Sequence, residues 1–184
     1  MTFWSSHQLL ITNEVAHCVE ECDLQTGLIT AYVSACDGTS GHSYTGHRLH
    51  DVSIDVPMGI FYDGGHRVYI SILISRNLIS IDTTTDQSSV VLTSSDMPRI
   101  LGYGLNSDTI YTTLSTGFGA IKDDSIERVV GSSGQFKGST IGTIGTTRMD
   151  HPTSFLEVTD GTWVIADRYR SEERRVGKEC RSRW

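Results

Sequence analysis

The sequence predicts an all-β fold from three observations. Its 18 glycines, few leucines and many serines and threonines favour strands and turns over helices. A unit made of a proline-led apolar start, an alternating strand and a further strand recurs, most clearly at residues 56–63, 68–71 and 78–82. Its alternating strand returns at intervals of about 40 to 60 residues, which is the period of propeller blades. We therefore predict an incomplete β-propeller of about three to four four-stranded blades.

The first two blades follow from alternating apolar patterns. In the first blade we predict strands at residues 9–13, 18–23 and 28–33, and we expect its first strand to be missing or frayed. The second blade runs from Pro57 to about Thr93. The third and fourth blades begin in the same way, at the prolines that follow.

The third blade runs from Pro98 to about Val130, and the fourth starts at Pro152. Long loops at residues 36–50 and 131–150 precede the second and fourth blades. Both loops contain an arginine followed by Leu or Met, so we interpret them as parts of the repeat. Because long ordered loops often carry function, we expect a protein or small ligand on the loop face.

Four short motifs carry a family resemblance. They are Pro57-x-Gly59-Ile60, Val68-Tyr69-Ile70-Ser71, Ile79-x-x-Asp82 and the run from Trp163 to Tyr169. With these motifs the chain resembles NHL-repeat β-propellers over about residues 9–169. The resemblance implies a fragment of a larger propeller protein, with an extracellular protein or ectodomain favoured. The second blade departs from the family pattern, because Ile72-Leu73 stands where Asp and Asn are usual, and no glycine follows Pro98.

Residues 170–184 differ from the rest of the chain. They hold 6 of the 15 lysines and arginines but only 3 of the 22 acidic residues, so the net charge of −7 becomes −10 for residues 1–169. The segment resembles a translated sequencing adapter, and we predict an artefactual or disordered basic tail that interrupts the fourth blade. The alternative is a genuine basic tail that binds acidic partners.

The charge disfavours a nucleic-acid partner, and the hydropathy predicts no membrane-spanning helix. Nucleic-acid binding needs clustered Lys and Arg to displace counterions, and residues 1–169 have no such cluster. No stretch approaches the roughly 20 apolar residues of a membrane-spanning helix, so none is predicted in this chain.

The cysteines leave the disulfide state open. Cys18 and Cys22 are four residues apart on one predicted strand, about 13 Å, which is too far for a bridge. Cys36 could pair with either in a secreted protein. We favour buried free thiols in a β core as the simplest interpretation.

Two groups of residues are candidate sites. His42, His47 and His50 share one loop and are candidate metal ligands, although solvated loop histidines are the more common case. The cluster Asp167-Arg168-Tyr169 is a candidate ligand-binding site, although a structural turn with hydrogen bonds between blades is the favoured interpretation. No catalytic residue and no cofactor are predicted, since no nucleophile elbow or phosphate loop is present.

We therefore predict a non-catalytic binding or scaffold module. The alternative is part of a propeller enzyme resembling the gluconolactonase-like or peptidyl-hydroxyglycine lyase-like families, which hold a metal at the central axis. A third possibility, an RNA-binding NHL domain, requires a basic surface that residues 1–169 do not offer.

Overall fold

The computed structural model describes residues 1–44, 49, 51–96, 98–104, 107–122, 125–131, 146–159, 161–168 and 174–176. Every regular element among these residues is a β-strand, and each sheet is antiparallel with strands in sequence order. The described part contains no helix of the length and apolar character needed to cross a membrane. The all-β prediction is confirmed, and four successive sheets of the blade type fit an incomplete propeller.

The described residues form fifteen strands in four sheets, and sheets 1 to 3 have four strands each. Sheet 1 contains β1 (Thr2–Phe3), β2 (Gln8–Asn13), β3 (Cys18–Asp23) and β4 (Ile29–Val33). Sheet 2 contains β5 (Pro57–Tyr62), β6 (Arg67–Ile72), β7 (Asn77–Asp82) and β8 (Gln87–Thr93). Sheet 3 contains β9 (Leu101–Gly104), β10 (Ser107–Leu114), β11 (Gly117–Lys122) and β12 (Ser125–Gly131). Sheet 4 contains β13 (Pro152–Thr159), β14 (Thr162–Asp167) and β15 (Arg174–Val176).

Near each end of the chain, the structure has a short strand that the sequence did not predict. The first blade has its first strand, because Thr2 pairs with Leu10 and Phe3 pairs with Leu9 in the two-residue β1. Two residues are too few for an alternating pattern, so the sequence did not reveal this strand. At the other end, β15 lies within residues 170–184 and its backbone pairs with β14. The division between residues 1–169 and a separate tail stays a prediction.

The chain forms two compact units, Met1–Leu101 and Gly102–Trp184, each with its own core. In the first unit, Leu10 and Val19 of sheet 1 share one buried cluster with Ile60 and Ile70 of sheet 2. Full burial of such a side chain contributes about 1.5–3 kcal/mol. Burial of the apolar faces of the two sheets therefore stabilises this unit.

Aromatic side chains dominate the core of the second unit. Trp163 of sheet 4 lies 5.0 Å from Phe118 and 4.4 Å from Tyr111, ring centre to ring centre, and Phe155 completes the group. Glycines in β9 make room for it, since a Cβ on Gly102 would lie 3.2 Å from the Phe155 ring.

Sheets 2 and 4 have the same register, including a shift in the pairing near the start of each sheet. Pro57 pairs with Ile72 and Pro152 pairs with Asp167, and each sheet shifts its pairing within the next two residues. Gly59 of sheet 2 therefore corresponds to Ser154 of sheet 4. This correspondence allows the two sheets to be compared residue by residue.

The functional candidates lie at one end of the strands, where the turn between the second and third strands is found. In an antiparallel sheet whose strands follow sequence order, the start of the first strand and the end of the second lie at the same edge. The turn between the second and third strands lies there too, as does the segment that leads in from the preceding sheet. We call this end of the strands the connector edge. The turns between the first and second strands and between the third and fourth strands lie at the opposite edge.

Candidate functional site: a histidine and aspartate cluster at the connector edge

Four polar side chains meet at the connector edge of the first unit, and we call them the His17 cluster. His17 is the last residue of the turn between β2 and β3, and Asp55 lies two residues before β5. His42 and Tyr44 belong to the segment that joins sheet 1 to sheet 2. The fold thus brings together residues that are up to 38 positions apart in sequence.

A buried carboxylate lies at the centre of the cluster. Asp55 is only 6% exposed, and its Oδ1 lies 3.3 Å from Nδ1 of His17. Its Oδ2 lies 4.0 Å from Nε2 of His42, whose side chain is 58% exposed. Because a buried charge is costly without partners, a protonated imidazole of either histidine would compensate it.

His17 also contacts the backbone that leads into sheet 2. The Val56 amide donates a hydrogen bond to Nδ1 of His17, with 3.1 Å between the nitrogens. A nitrogen that accepts a hydrogen bond carries no proton, so this geometry matches a neutral His17 with its proton on Nε2.

Val56 is held in an unfavourable backbone conformation. Its φ is 47°, in the left-handed region that β-branched residues avoid, and His17 has a φ of 54°. Such a conformation costs of the order of 1–3 kcal/mol and persists only where surrounding contacts impose it. The bond to His17 and the bond from the Leu73 amide to the Val56 carbonyl, at 3.0 Å, are two such contacts.

Tyr44 fixes the position of His42. The Tyr44 hydroxyl lies 2.7 Å from Nδ1 of His42 and donates to the Gly41 carbonyl at 3.3 Å. Burial raises the pKa of the Tyr44 phenol, the nearby Ser75 hydroxyl opposes this effect, and the Asp55 carboxylate adds to it. The phenol therefore stays protonated at neutral pH and serves as a hydrogen-bonding anchor.

A disulfide joins the connector to sheet 1 next to the cluster. Cys18, which follows His17, is bonded to Cys36, with 5.0 Å between the Cα atoms. The interpretation of all the cysteines as free thiols was therefore wrong. Ser34 and Cys36 both have positive φ, which turns the chain back over sheet 1 and brings Cys36 to Cys18. Cys22 is not bonded to Cys18, as their spacing predicted, and it is a free thiol.

The second unit has a corresponding arrangement with different partners. The sequence Asp150-His151-Pro152 corresponds to Asp55-Val56-Pro57, and His151 has a φ of 57°. The His151 amide donates to the carbonyl of Ser115 at 3.0 Å, and the Asp150 amide donates to the Asp167 carboxylate at 3.0 and 3.1 Å.

The predicted ligand-binding residues lie at this second connector edge. Asp167 is buried and accepts the Asp150 amide, a contact between β14 and the segment that leads into the same sheet. Arg168 is exposed, and its amide donates to the His151 carbonyl at 3.2 Å. Tyr169 lies outside the described residues. A ligand-binding role for these residues stays a prediction.

The predicted metal site is described only at His42. His47 and His50 lie outside the described residues, so their role as ligands stays a prediction. Within the described part, one group of three potential ligands was found, Cys18, Glu20 and Cys36. Because both sulfurs are in the disulfide, this group does not fit a metal ion.

Sequence reasoning missed His17 and Asp55. Neither residue belongs to a motif of the sequence, and nothing local links the two. One signal was present, because an Asp-x-Pro sequence recurs at residues 55–57, 96–98 and 150–152. In the first and last of these, however, the partner of the middle amide comes from a distant turn and has no mark in the sequence.

Comparisons with known proteins give the fold and no closer relationship. No protein-family model matches the sequence, and no curated protein sequence matches it. Among solved structures, a catalytically inactive variant of virginiamycin B lyase from Staphylococcus aureus, determined with quinupristin, is similar at 12% identity and a TM-score of 0.57. The match covers 96% of this chain and 51% of the lyase.

Two structures from Bacteroides thetaiotaomicron are also similar. An auxiliary nutrient-binding protein matches at 11% identity and a TM-score of 0.58, over 95% of this chain and 53% of that protein. The extracellular domain of a putative one-component system matches at 10% identity and a TM-score of 0.51, over 91% of this chain and 26% of that chain. The chain thus spans about half the length of the first two structures. At these identities the likeness shows a propeller fold alone.

Proposed function

We propose that the chain is a binding module of a larger NHL-type propeller protein and that its ligand surface is the connector edge. The observation that supports this most directly is the His17 cluster, in which polar side chains from distant segments meet at one sheet edge. Asp55 and Tyr44 are buried there and position His42, whose imidazole remains exposed. A rigid, supported polar group beside a long connector is typical of a binding surface.

The ligand we propose is a protein segment or a small polar molecule. The charge of −10 over residues 1–169 opposes contact with nucleic acid. An exposed imidazole next to a carboxylate can accept and donate hydrogen bonds, which suits polar groups on peptides and sugars. The nutrient-binding neighbour supports a binding role of this kind, as far as a shared fold can.

We also propose that the protein works outside the cytoplasm. The Cys18–Cys36 disulfide supports this, because disulfides form and persist in oxidising compartments. The similarity to an extracellular domain agrees with it.

A propeller enzyme is the second candidate. The observation that favours it is His42, an exposed imidazole held by a buried tyrosine, in a chain whose fold neighbours include a lyase. A lyase of this type would use His42 to transfer a proton. This candidate predicts turnover of quinupristin, the molecule in the lyase structure, with turnover lost in His42→Ala.

A comparison of three chains tests the binding proposal. A displayed random peptide library and a panel of mono- and disaccharides are screened against the unsubstituted chain. Their affinities for His42→Ala and Gln25→Ala are then measured by calorimetry. Gln25 is exposed in the turn between β3 and β4 at the opposite edge and is the matched control. We expect a loss of about tenfold or more in His42→Ala, or about 1.4 kcal/mol, and no change in Gln25→Ala. Binding that is equal in both variants, or absent throughout, contradicts the proposal.

A further inference from the structure

We infer that His17 is a proton-operated latch on the segment that leads into sheet 2. In its neutral form His17 holds the Val56 amide, and in its protonated form it releases that amide and pairs with Asp55. The inference concerns the protein without a ligand, so it stands independently of the proposed binding role.

The first step is that one nitrogen faces two groups with opposite requirements. Nδ1 of His17 lies 3.1 Å from the Val56 nitrogen, a donor, and 3.3 Å from Oδ1 of Asp55, an acceptor. Without a proton Nδ1 can accept from Val56 but cannot donate to Asp55. With a proton it can donate to Asp55, and the Val56 amide loses its acceptor.

The second step is that the imidazole is in contact with water, since the His17 side chain is 21% exposed. Imidazole is the side chain that changes charge between about pH 5 and 8. Protonation would place a positive charge beside Asp55, whose side chain is 9% exposed and therefore poorly solvated.

The third step is that the released segment has another conformation available. Val56 lies in the left-handed region, which a β-branched residue leaves when nothing holds it there. The Val56 carbonyl also accepts the Leu73 amide at 3.0 Å. A change in Val56 therefore reaches the turn that follows β6, at the same connector edge.

The charged groups around His17 determine which of them can pair with Asp55. Asp55 faces His17 from the segment before β5, and His42 faces the other oxygen of Asp55 from the connector. Tyr44 bonds to His42 and stays neutral. Asp37 is near the same turn, since the Gly38 amide donates to the Ala16 carbonyl, but its carboxylate accepts the Thr39 amide. His42 is therefore the described group that can compete with His17 for Asp55.

The second unit supplies an internal control. The His151 amide occupies the position of the Val56 amide but donates to the Ser115 backbone carbonyl. A carbonyl takes up no proton in this range. This segment has a histidine and aspartate pair of its own, because Nδ1 of His151 lies 2.5 Å from Oδ1 of Asp150, but the His151 ring is not the acceptor of the His151 amide. The two amides therefore share the same backbone context and differ in whether their acceptor can take up a proton.

The experiment is hydrogen exchange of the two amides, followed by NMR in the full chain from about pH 8 to about pH 5. After correction for intrinsic exchange, we expect protection of Val56 to fall about tenfold or more across this range, while protection of His151 changes by less than about twofold. Three outcomes overturn the inference: an unprotected Val56 amide at pH 8, unchanged Val56 protection at pH 5, or an equal fall at His151.

Two further measurements separate the latch from general loosening. His17→Asn keeps a side-chain oxygen acceptor, tolerates positive φ and does not titrate, so Val56 protection should become independent of pH. If that variant does not fold, the nitrogen chemical shifts of the His17 ring in the unsubstituted chain decide. We expect an unprotonated Nδ1 at pH 8 and a proton on it at pH 5. A proton on Nδ1 at pH 8 would refute the latch.

Discussion

The segments that lead into sheets 2 and 4 have the same backbone design and different chemistry. Each has the pattern Asp-x-Pro, and the middle residue has a φ of 47° at Val56 and 57° at His151. In each, the carbonyl of that residue accepts an amide from just beyond the second strand, at 3.0 Å from Leu73 and 3.2 Å from Arg168. The amide of that residue donates to a histidine ring before sheet 2 and to a backbone carbonyl before sheet 4.

This difference shows how a repeat can keep its shape while one copy acquires a new response. The left-handed turn is required in both copies, because it directs the chain into the first strand of the next sheet. A carbonyl acceptor keeps the bond to the middle amide independent of any proton, even though the His151 ring pairs with Asp150 at 2.5 Å in the same segment. An imidazole acceptor gives the same geometry but makes that bond depend on a proton. Each copy has a buried aspartate, Asp55 or Asp167, and the first copy also has a disulfide.

Removing the disulfide should have the largest effect, and only on the first of the two segments. Residues 131–152 contain no cysteine, whereas Cys18–Cys36 ties the connector before sheet 2 to sheet 1. For Cys18→Ala/Cys36→Ala we expect the free energy of unfolding of the first unit to fall by about 3 kcal/mol in urea denaturation. Val56 should lose exchange protection and His151 should not.

Cys22→Ala is the matched control for that experiment. Cys22 is a free, partly buried thiol on the same strand as Cys18, so its replacement should cost less than about 1 kcal/mol. An unfolding midpoint that is unchanged in the double variant, or lowered equally in Cys22→Ala, would show that the disulfide does not set the difference between the two segments.

The next prediction compares corresponding positions in β5 and β13. A Cβ on Gly59 would lie 1.8 Å from the Arg99 carbonyl oxygen, a backbone atom that the Ser71 hydroxyl also holds at 2.8 Å. Gly59→Ala should therefore cost about 2 kcal/mol in urea unfolding. At the corresponding exposed position, Ser154→Ala should change stability by less than about 0.5 kcal/mol. If both substitutions change the free energy of unfolding by a similar amount, sheets 2 and 4 are packed alike at these two positions.

Much of the fold could be predicted because it is local. The second sheet, predicted from Pro57 to about Thr93, spans the strands β5 to β8, and β3 has the predicted bounds. Alternating apolar residues and turn residues specify such strands within a few positions. The two-residue β1 could not be found in this way, because it is defined by pairing with Leu9 and Leu10 alone.

The site was less predictable because it depends on where the connector runs. His42 was selected for its neighbours in sequence, His47 and His50, but its described contacts are Tyr44 and Asp55. The choice between free thiols and a disulfide depended on the left-handed turns at Ser34 and Cys36, and neither residue is of the type that usually marks such a turn. Both results follow from a chain path that no local pattern encodes.

The smallest predicted effect concerns the opposite edge, where carboxylates and not imidazoles hold the turns. Asp82 accepts the Thr84 hydroxyl and amide, and these bonds hold the pKa of its carboxyl below the ordinary value of 3.8. The backbone amides of Thr26 and Gln25 lower the pKa of Asp23 in the same way. A lowered pKa means that these bonds contribute stability above the ordinary value and lose it as the pH falls through the lowered one.

The amide proton shifts of Thr84 and Gln25 should therefore stay constant from about pH 8 to about pH 5 and change only below about pH 4. NMR titration of the full chain measures them alongside Val56 and His151. Thr84→Val removes the hydroxyl bond to Asp82 and should move the Thr84 transition upward while leaving that of Gln25 in place. If these turn amides instead respond between pH 5 and 8, the whole sheet is loosening with pH. The contrast between Val56 and His151 would then reflect local stability rather than the identity of the acceptor.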